Sequence, residues 1–290
     1  MNKQYVTPDE VFFFHHTQTN ACGETVFRPP EVHRRFEVFY LIRGEVEYVV
    51  EGIHYFVHAG DLLFIAAGKV HKLKINLRTD YERIVIQFDR TILPQYFSEN
   101  TNLFDSLISD QNPARLIPKD LLENFRVKEI LNAVVDIDTE NKYRHPLFVA
   151  QSILFLVELN KVAEQIETES SKIVSSLVRK TINYIDTHLA DDLSLSNLAS
   201  ELYVNKFYLE HLFRKEMDLS INRYITLKRI HIAAEMIRRG VSAQDACEKV
   251  GYRYYSTFFY NYKKVFGVAP TDESEKAITT LPNPDFRTDD

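Results

Sequence analysis

The sequence predicts a two-domain α+β protein, with an N-terminal β-barrel and trailing helices followed by an all-helical C-terminal domain. The length of 290 residues suits two domains. Residues 11–88 contain short runs of β-branched and aromatic residues, whereas the residues beyond 172 follow the helical period. The charge divides at the same place. Acidic residues outnumber basic ones 25 to 18 in residues 1–170, and basic residues outnumber acidic ones 15 to 12 in residues 171–273.

The composition argues against a membrane protein and against a secreted protein held by disulfides. The chain is 45% hydrophobic, which supports sizeable cores, and it holds no run of about 20 apolar residues that would predict a membrane span. Its first residues lack the basic and apolar pattern of a secretory signal. Cys22 and Cys247 are too few for a disulfide framework. We therefore expect free thiols and a cytoplasmic location.

The predicted strands are seven short segments separated by turn signals at Gly44-Glu45, Glu51-Gly52 and Gly60-Asp61. Their sequences are VFFF, ETVFR, FEVFYLIR, EVEYVV, IHYFVH, DLLFIA and YERIVIQF. Many short strands at close spacing are typical of a barrel or sandwich.

Three helices are predicted behind the strands, at residues 91–97, 121–137 and 146–166, with Pro146 at a helix start. The third is apolar on more than one face. It either forms a dimer contact or only packs against its own barrel, and the sequence does not decide between them. A charged, Ser-rich linker follows at residues 164–171.

The C-terminal helices begin with two short amphipathic segments. Ser194 and Asn205 are placed to cap them. The apolar positions of the first segment recur at helical spacing: Leu195, Leu198, Ala199 and Leu202. The second segment buries Leu209, Leu212 and Phe213, and exposes Lys206, Phe207, Glu210, His211 and Arg214. A helix with this exposed face suits the major groove of DNA.

Residues 176–270 resemble the DNA-binding domain of the AraC/XylS family of transcription regulators, in which a linker helix joins two helix-turn-helix units. The similarity is carried by Leu195, Leu198-Ala199, Val204-Asn205, Tyr208-Leu209, Leu212-Phe213-Arg214-Lys215, Ser220, Tyr224, Arg229, Ala233, Gly251-Tyr252, Ser256, Phe258, Tyr262-Lys263-Lys264, Phe266-Gly267 and Pro270. The resemblance implies an effector domain at residues 1–165 and a DNA-binding domain at residues 171–270. The tail, residues 271–290, is acidic and is predicted to be disordered.

The departures from the family pattern fall mostly in the second unit. Ala246-Cys247 replaces a usual Ile-Ala pair, so its first helix should bury less apolar surface. Its reading helix presents Tyr255, Ser256, Phe259 and Tyr260, a face with few donors for base edges. Asp218 stands where the family commonly has Gly, and Asp tolerates the left-handed conformation.

The N-terminal segment resembles a cupin. Its motifs are His33-x3-Glu37-x6-Gly44 and Gly60-x7-Gly68-x2-His71. The resemblance implies a small-molecule pocket, for which we predict His33, Glu37, Tyr40 and His71 as ligand contacts; a sugar is one effector class. The alternative is a metal-binding cupin enzyme that holds its ion with Glu31, His33, Glu37 and His71.

These observations predict a ligand-responsive transcription regulator rather than an enzyme, without a cofactor. The expected partners are double-stranded DNA, a small-molecule effector, a second copy of the chain and, for an activator, RNA polymerase. The predicted DNA contacts are Asn205, Lys206, Phe207, Glu210, His211, Arg214, Tyr255, Ser256, Phe259, Tyr260 and Lys263. Arg214 and Lys263 are expected to bind phosphates.

Overall fold

The computed structural model describes residues 3–6, 12–89, 107, 113–138, 140–165 and 175–272. By internal contacts the chain divides into two units, residues 1–174 and 175–290. The predicted helix at residues 91–97, most of the predicted linker and nearly all of the predicted tail lie outside the described residues.

The described residues of the first unit include ten strands in two antiparallel sheets. The strands are β1 (Lys3–Val6), β2 (Phe12–Thr19), β3 (Thr25–Phe27), β4 (Phe36–Arg43), β5 (Glu45–Val50), β6 (Ile53–His58), β7 (Leu62–Ile65), β8 (His71–Asn76), β9 (Tyr81–Phe88) and β10 (Ala114–Ile117). The larger sheet has the order β1-β2-β9-β4-β7-β10 and the smaller one β3-β8-β5-β6. The described strands form two sheets, an arrangement of the barrel or sandwich kind that the strand spacing predicts. Gly44, with φ of 101°, makes the turn that sends the chain from β4 in one sheet to β5 in the other.

Strand β4 has two buried faces. Phe36, Val38 and Tyr40 belong to one apolar core together with residues of the helices that follow. Glu37 and Phe39 point the other way and contact Tyr48 of the smaller sheet. The space between the sheets is thus separate from the core beneath the helices.

Within the described part of the first unit, three helices cover the outer face of the larger sheet: α1 (Lys119–Leu122), α2 (Val127–Val135) and α3 (Arg144–Ala163). Helix α3 is long and apolar enough to cross a membrane by length and composition alone. Within its apolar stretch of 18 residues, 44% is buried. Phe148, Phe155 and Leu159 are buried in the helix-facing core, which accounts for much of this apolar character.

The second unit contains six helices in the described residues: α4 (Ser176–Thr187), α5 (Leu195–Glu201), α6 (Lys206–Met217), α7 (Ile221–Arg238), α8 (Ala243–Lys249) and α9 (Tyr255–Phe266). Five of them begin at a side chain that accepts a backbone hydrogen bond: Ser175, Ser194, Asn205, Ser220 and Ser242. Helices α5–α6 and α8–α9 are the two helix-turn-helix units, and α7 joins them. Asp218 is left-handed, with φ of 56°, as predicted.

Arg229 connects helix α7 to the loop that follows α4 and to the turn between α8 and α9. The guanidinium donates to the carbonyls of Leu189, Asp191 and Gly251 at 2.9, 2.7 and 3.0 Å. Gly251 lies against the same loop. Its φ is +84°, and an added Cβ would stand 2.6 Å from the Ala190 carbonyl oxygen. The second helix-turn-helix unit, α8–α9, is therefore held close to the segment that follows α4.

Candidate DNA-binding surface and effector site

Helix α6 starts at Asn205, which has extended backbone. Its side-chain oxygen accepts hydrogen bonds from the N–H groups of Phe207 and Tyr208 at 2.9 and 3.3 Å. Of the predicted DNA contacts, Asn205 therefore serves as the cap that fixes where the helix begins.

The exposed side of α6 carries four of the predicted DNA contacts. Phe207 is 73% exposed, and the Lys206 ammonium lies 5.2 Å from the centre of its ring. His211 and Arg214 are exposed on the same helix, while Leu209 and Phe213 are fully buried on the opposite side. A cation and an exposed ring at the helix start suit a phosphate and a thymine methyl group.

Glu210 has a different environment from the one predicted. It is half-buried, its carboxylate accepts a hydrogen bond from the Ile221 N–H at 3.4 Å, and the Arg214 guanidinium lies 3.4 Å away. The carboxylate is therefore directed at the start of α7. The sequence did not predict this contact, because it joins residues eleven positions apart across a turn.

The five predicted DNA contacts on helix α9 differ in their exposure to solvent. Tyr255 and Phe259 are half-buried, and the Tyr255 ring packs against Phe258 at 5.7 Å between centroids. Ser256, Tyr260 and Lys263 are exposed, Tyr260 by 64%. The structure thus brings three of the five predicted residues to the surface of α9 and places two against its core.

Sequence reasoning missed the exposed aromatic residues at the start of each reading helix. Tyr203 is 94% exposed and left-handed, with φ of 53°. Tyr254 is 60% exposed, with the Arg253 guanidinium 5.4 Å from its ring centre. Tyr254 directly precedes α9, and Tyr203 stands two residues before the Asn205 cap of α6. These positions are the signal that would have identified them, since the N-terminal end of a reading helix faces the groove.

The space between the two sheets contains a polar cluster around Glu37, which is only 3% exposed. The Tyr48 hydroxyl and the Gln87 amide donate to its carboxylate at 3.0 and 2.7 Å, and His33 Nε2 lies 3.0 Å away. The His33 and His71 rings are 4.9 Å apart. Three of the predicted ligand contacts, His33, Glu37 and His71, therefore come together.

The cluster stabilises the charged forms of both Glu37 and His71. Burial opposes ionisation of Glu37, but the hydrogen bond with His33 and the nearby His71 outweigh it and hold the pKa of Glu37 well below its usual range. Burial alone would lower the pKa of His71, yet the Glu31 carboxylate, 3.6 Å from its Nε2, and the charge of Glu37 raise it to about 9. An anion and a cation thus share the interior near neutral pH.

The fourth predicted ligand contact, Tyr40, does not join this cluster. Side chains alternate along a strand, so Tyr40 lies on the opposite face of β4 from Glu37, in the helix-facing core. Tyr48 and Gln87, which sequence reasoning did not select, take its place beside Glu37.

Three groups of the cluster also suit a metal ion. One donor atom each from His33, Glu37 and His71 lies within 4.8 Å of the others. The Nδ1 atoms of the two histidines lie near the carbonyls of Arg35 and Lys69, which turns each Nε2 toward the centre. Glu31, the fourth residue of the predicted metal set, is half-exposed and lies 3.6 Å from His71 Nε2. The residue types and orientations fit a divalent transition metal.

Comparisons with known proteins agree with this architecture. The family model of a cupin domain matches residues 22–84, and that of a helix-turn-helix domain matches residues 198–275. The chain is 29% identical over 96 residues to the regulatory protein PocR of Salmonella typhimurium, covering 33% of this chain and 32% of PocR. It is 21% identical over 264 residues to the melibiose operon regulatory protein of Escherichia coli, covering 85% of each. Among solved structures, fatty-acid-bound ToxT from Vibrio cholerae has a TM-score of 0.44, with 13% identity over 90% of this chain and 94% of that chain.

The family models therefore match one domain in each unit, a cupin domain in the first and a helix-turn-helix domain in the second. In both units the chain is similar to transcription regulators of the AraC type. The chain spans about a third of the length of PocR.

Proposed function

We propose that this chain is a cytoplasmic, ligand-responsive transcription regulator that binds DNA through the N-terminal ends of α6 and α9 and senses a small molecule between the two sheets. The observation that carries the proposal is the pair of exposed helix starts on a common linker helix. Each presents a ring beside a cation, with Phe207 near Lys206 and Tyr254 near Arg253.

The dimensions of the second unit suit two contacts on one side of a duplex. Helix α7 has 18 residues and therefore spans about 27 Å at 1.5 Å per residue. One turn of B-DNA is about 34 Å, so helices joined by α7 can enter neighbouring major-groove segments. The net charge of residues 171–273 is +3, the difference between 15 basic and 12 acidic residues. This modest excess predicts weak, salt-sensitive binding to DNA of arbitrary sequence.

The effector class follows from the polar interior. Glu37, His33 and His71 offer hydrogen-bonding groups that converge from three elements, as small-molecule sites require. A hydroxylated molecule such as a sugar suits these groups, and the relative at 85% coverage is named for a sugar operon. Binding alters DNA affinity only where the effector prefers one arrangement of the protein.

Helix α3 is the proposed dimer contact. Tyr143 and Leu147 at its start are 58% and 39% exposed, next to its half-buried apolar residues Ile153, Leu154 and Val157. An activator of this type would contact RNA polymerase from the DNA-bound dimer.

A metal-dependent cupin enzyme is the second candidate, because three donor atoms converge in the first unit. Elemental analysis separates the two functions. Stoichiometric metal, together with a reaction catalysed by residues 1–165 alone, would favour the enzyme, whereas sequence-selective DNA binding favours the regulator.

The decisive test is selection of bound fragments from genomic DNA by the purified full-length chain, followed by salt titration of the recovered sites. We expect a motif of two parts about ten base pairs apart. Lys263→Ala should weaken binding evenly across sequences and reduce the salt slope by about one unit. Recovery of fragments without a shared motif would contradict the proposed function.

A further inference from the structure

The turn between α5 and α6 has the same backbone hydrogen bonds as the turn between α8 and α9. In the first turn, the N–H groups of Tyr203 and Val204 donate to the carbonyls of Ser200 and Ala199 at 3.1 and 2.9 Å. This pair of bonds closes the C-terminal end of a helix. It requires a left-handed residue just after the helix, for which glycine is the usual choice. The backbone of the first turn therefore favours glycine at the position of Tyr203.

The second turn has that glycine. The N–H groups of Gly251 and Tyr252 donate to the carbonyls of Glu248 and Cys247, both at 3.0 Å, and Gly251 has φ of +84°. Tyr203 occupies the corresponding position of the first turn, with φ of 53°. The left-handed conformation costs free energy in a residue with a Cβ, and it is unusual for a bulky side chain. The first helix-turn-helix unit thus has the less favourable residue at the same point.

The Tyr203 side chain does not offset this cost by contacts within the described part of the protein. It is 94% exposed, and among the described residues its ring and hydroxyl have no hydrogen bond, ion pair or ring contact. A side chain this exposed buries almost no apolar area, so packing does not explain the choice of tyrosine. Backbone strain that the fold does not offset indicates a role in binding.

The position of this turn places Tyr203 beside the DNA backbone. In a helix-turn-helix, the first helix crosses the backbone and the N-terminal end of the second enters the major groove. Tyr203 stands between these helices, two residues before the Asn205 cap, and within the matched helix-turn-helix domain, residues 198–275. The next exposed residues are Lys206 and Phe207, at the proposed groove end of α6. A side chain on the turn therefore lies at the edge of that groove.

We propose that Tyr203 contacts the DNA backbone, with its hydroxyl group donating a hydrogen bond to a phosphate at the edge of the groove that α6 enters. Tyrosine hydroxyls are among the groups that bind phosphate oxygens, and such contacts fix the register of a protein on the duplex without reading sequence. The inference rests on the proposed DNA-binding function and adds a residue that positions α6. The second helix-turn-helix unit has no side chain to offer at the matching position, because Gly251 lies against the Ala190 carbonyl.

The first test is Tyr203→Phe in the full-length chain, which removes the hydroxyl and keeps the ring and the backbone strain. We expect the Kd for the sites recovered by the wild type to rise about five- to tenfold, because one phosphate hydrogen bond is lost. Preference among single-base variants of the site should stay unchanged. The salt slope should also stay unchanged, because the neutral hydroxyl releases no counterion. Fluorescence anisotropy of labelled duplexes at several salt concentrations measures all three.

The second test, Tyr203→Gly, separates stability from binding. It should bind DNA as weakly as Tyr203→Phe, yet raise the Tm of the second unit by about 4 °C, because glycine adopts the left-handed conformation without strain. Tyr203→Asn controls for the flexibility of glycine, since asparagine also tolerates this conformation. It should likewise bind weakly and raise Tm. A residue with only a structural role would not change stability and affinity in opposite directions.

Tyr184→Phe is the matched control for loss of a hydroxyl. Tyr184 lies on α4, outside the matched helix-turn-helix domain, with its ring stacked on His188. Its replacement should leave both DNA affinity and Tm unchanged. Tyr203→Phe should also keep the Tm of the wild type, which shows that its weaker binding is not a loss of fold.

Wild-type affinity in Tyr203→Phe would overturn the proposed phosphate contact, as would a loss confined to particular bases of the site. A fall in Tm for Tyr203→Gly would assign Tyr203 a structural role and reject the proposal equally. These results leave DNA selection by the wild type intact, so the regulator function would survive. A wild type that binds duplex DNA through Tyr203 but selects no motif would overturn sequence-specific regulation alone. Absence of any binding to duplex DNA would overturn both.

Discussion

The two helix-turn-helix units share one topology but are stabilised differently. In the first, the Asn205 side chain caps the reading helix, and Leu198, Leu209 and Phe213 fill the core. In the second, Tyr254 stands at the cap position without a side-chain cap bond in the described structure. Its core places the small Ala246 and Cys247 beneath aromatic rings of α9.

The difference shows how the second unit tolerates its unusual residues. The small side chains of Ala246 and Cys247 on α8 offer little apolar area to bury. Both side chains are nevertheless fully buried, because Phe258 and Tyr262 cover them. The rings pack against one another at 5.6 Å between centroids. The reading helix of the second helix-turn-helix unit therefore depends on aromatic packing over small side chains, whereas that of the first also has a side-chain cap.

The largest predicted change in stability comes from Gly251→Ala, next to the second helix-turn-helix unit. Because φ is positive and the new Cβ would clash with the Ala190 carbonyl, we expect a loss of about 3 kcal/mol in the free energy of unfolding. Gly240→Ala is the matched control. Its φ is +89°, but nothing lies within 4 Å of the Cβ, so it should cost only about 1 kcal/mol. Urea unfolding measures both, and equal losses would mean that the close approach at Gly251 contributes nothing.

Arg229→Met should lower the free energy of unfolding by about 2–3 kcal/mol, because three backbone carbonyls lose a charged donor. Hydrogen exchange should show the loss in α8 and α9 more than in α5 and α6. Arg239→Met, which breaks only an exposed pair with Glu235, should cost about 0.5 kcal/mol or less. Uniform loss of protection in both units would contradict the division drawn between them.

His211 and Tyr260 occupy the same position, the sixth residue, of the two reading helices. His211→Ala should change sequence preference in one half-site by about 1–3 kcal/mol, because an imidazole can hydrogen-bond a base edge. Tyr260→Ala should weaken binding with a smaller change in preference, since its exposed ring suits phosphate and apolar contacts. Selection of bound fragments with each variant measures this, and an identical change in preference would show that both units read bases alike.

The smallest effects concern the caps. Asn205→Ala should destabilise the second domain by about 1 kcal/mol, and Tyr254→Asn should stabilise it by up to about 1 kcal/mol by adding the missing cap. The extended backbone at Tyr254 already suits a capping residue. Thermal unfolding of the two variants checks the expected opposite signs.

The strands from Phe36 to His58 and the strand ending at Phe88 agree with the sequence prediction because long alternating or wholly apolar runs identify them. Strand β8, HKLKIN, was missed because its outward lysines reduce its hydrophobicity. The sequence predicted the cap at Asn205, which is a local contact. It did not predict the contacts of Glu210 or Gln87, which depend on tertiary register. Tyr40 was predicted as a ligand contact from its aromatic character, whereas the alternation along β4 places it on the opposite face from Glu37, in the helix-facing core.

The two cysteines differ in chemical accessibility. Cys247 is buried at 1% exposure beneath the aromatic cluster, and burial raises the pKa of its thiol, so it should resist alkylation while the domain is folded. Cys22 is exposed, and its N–H bonds the Leu77 carbonyl close to the start of β3, six residues before Arg28. A maleimide fluorophore should therefore attach to the wild-type chain at one position. Labelling at Cys247 would then follow only when the second unit unfolds.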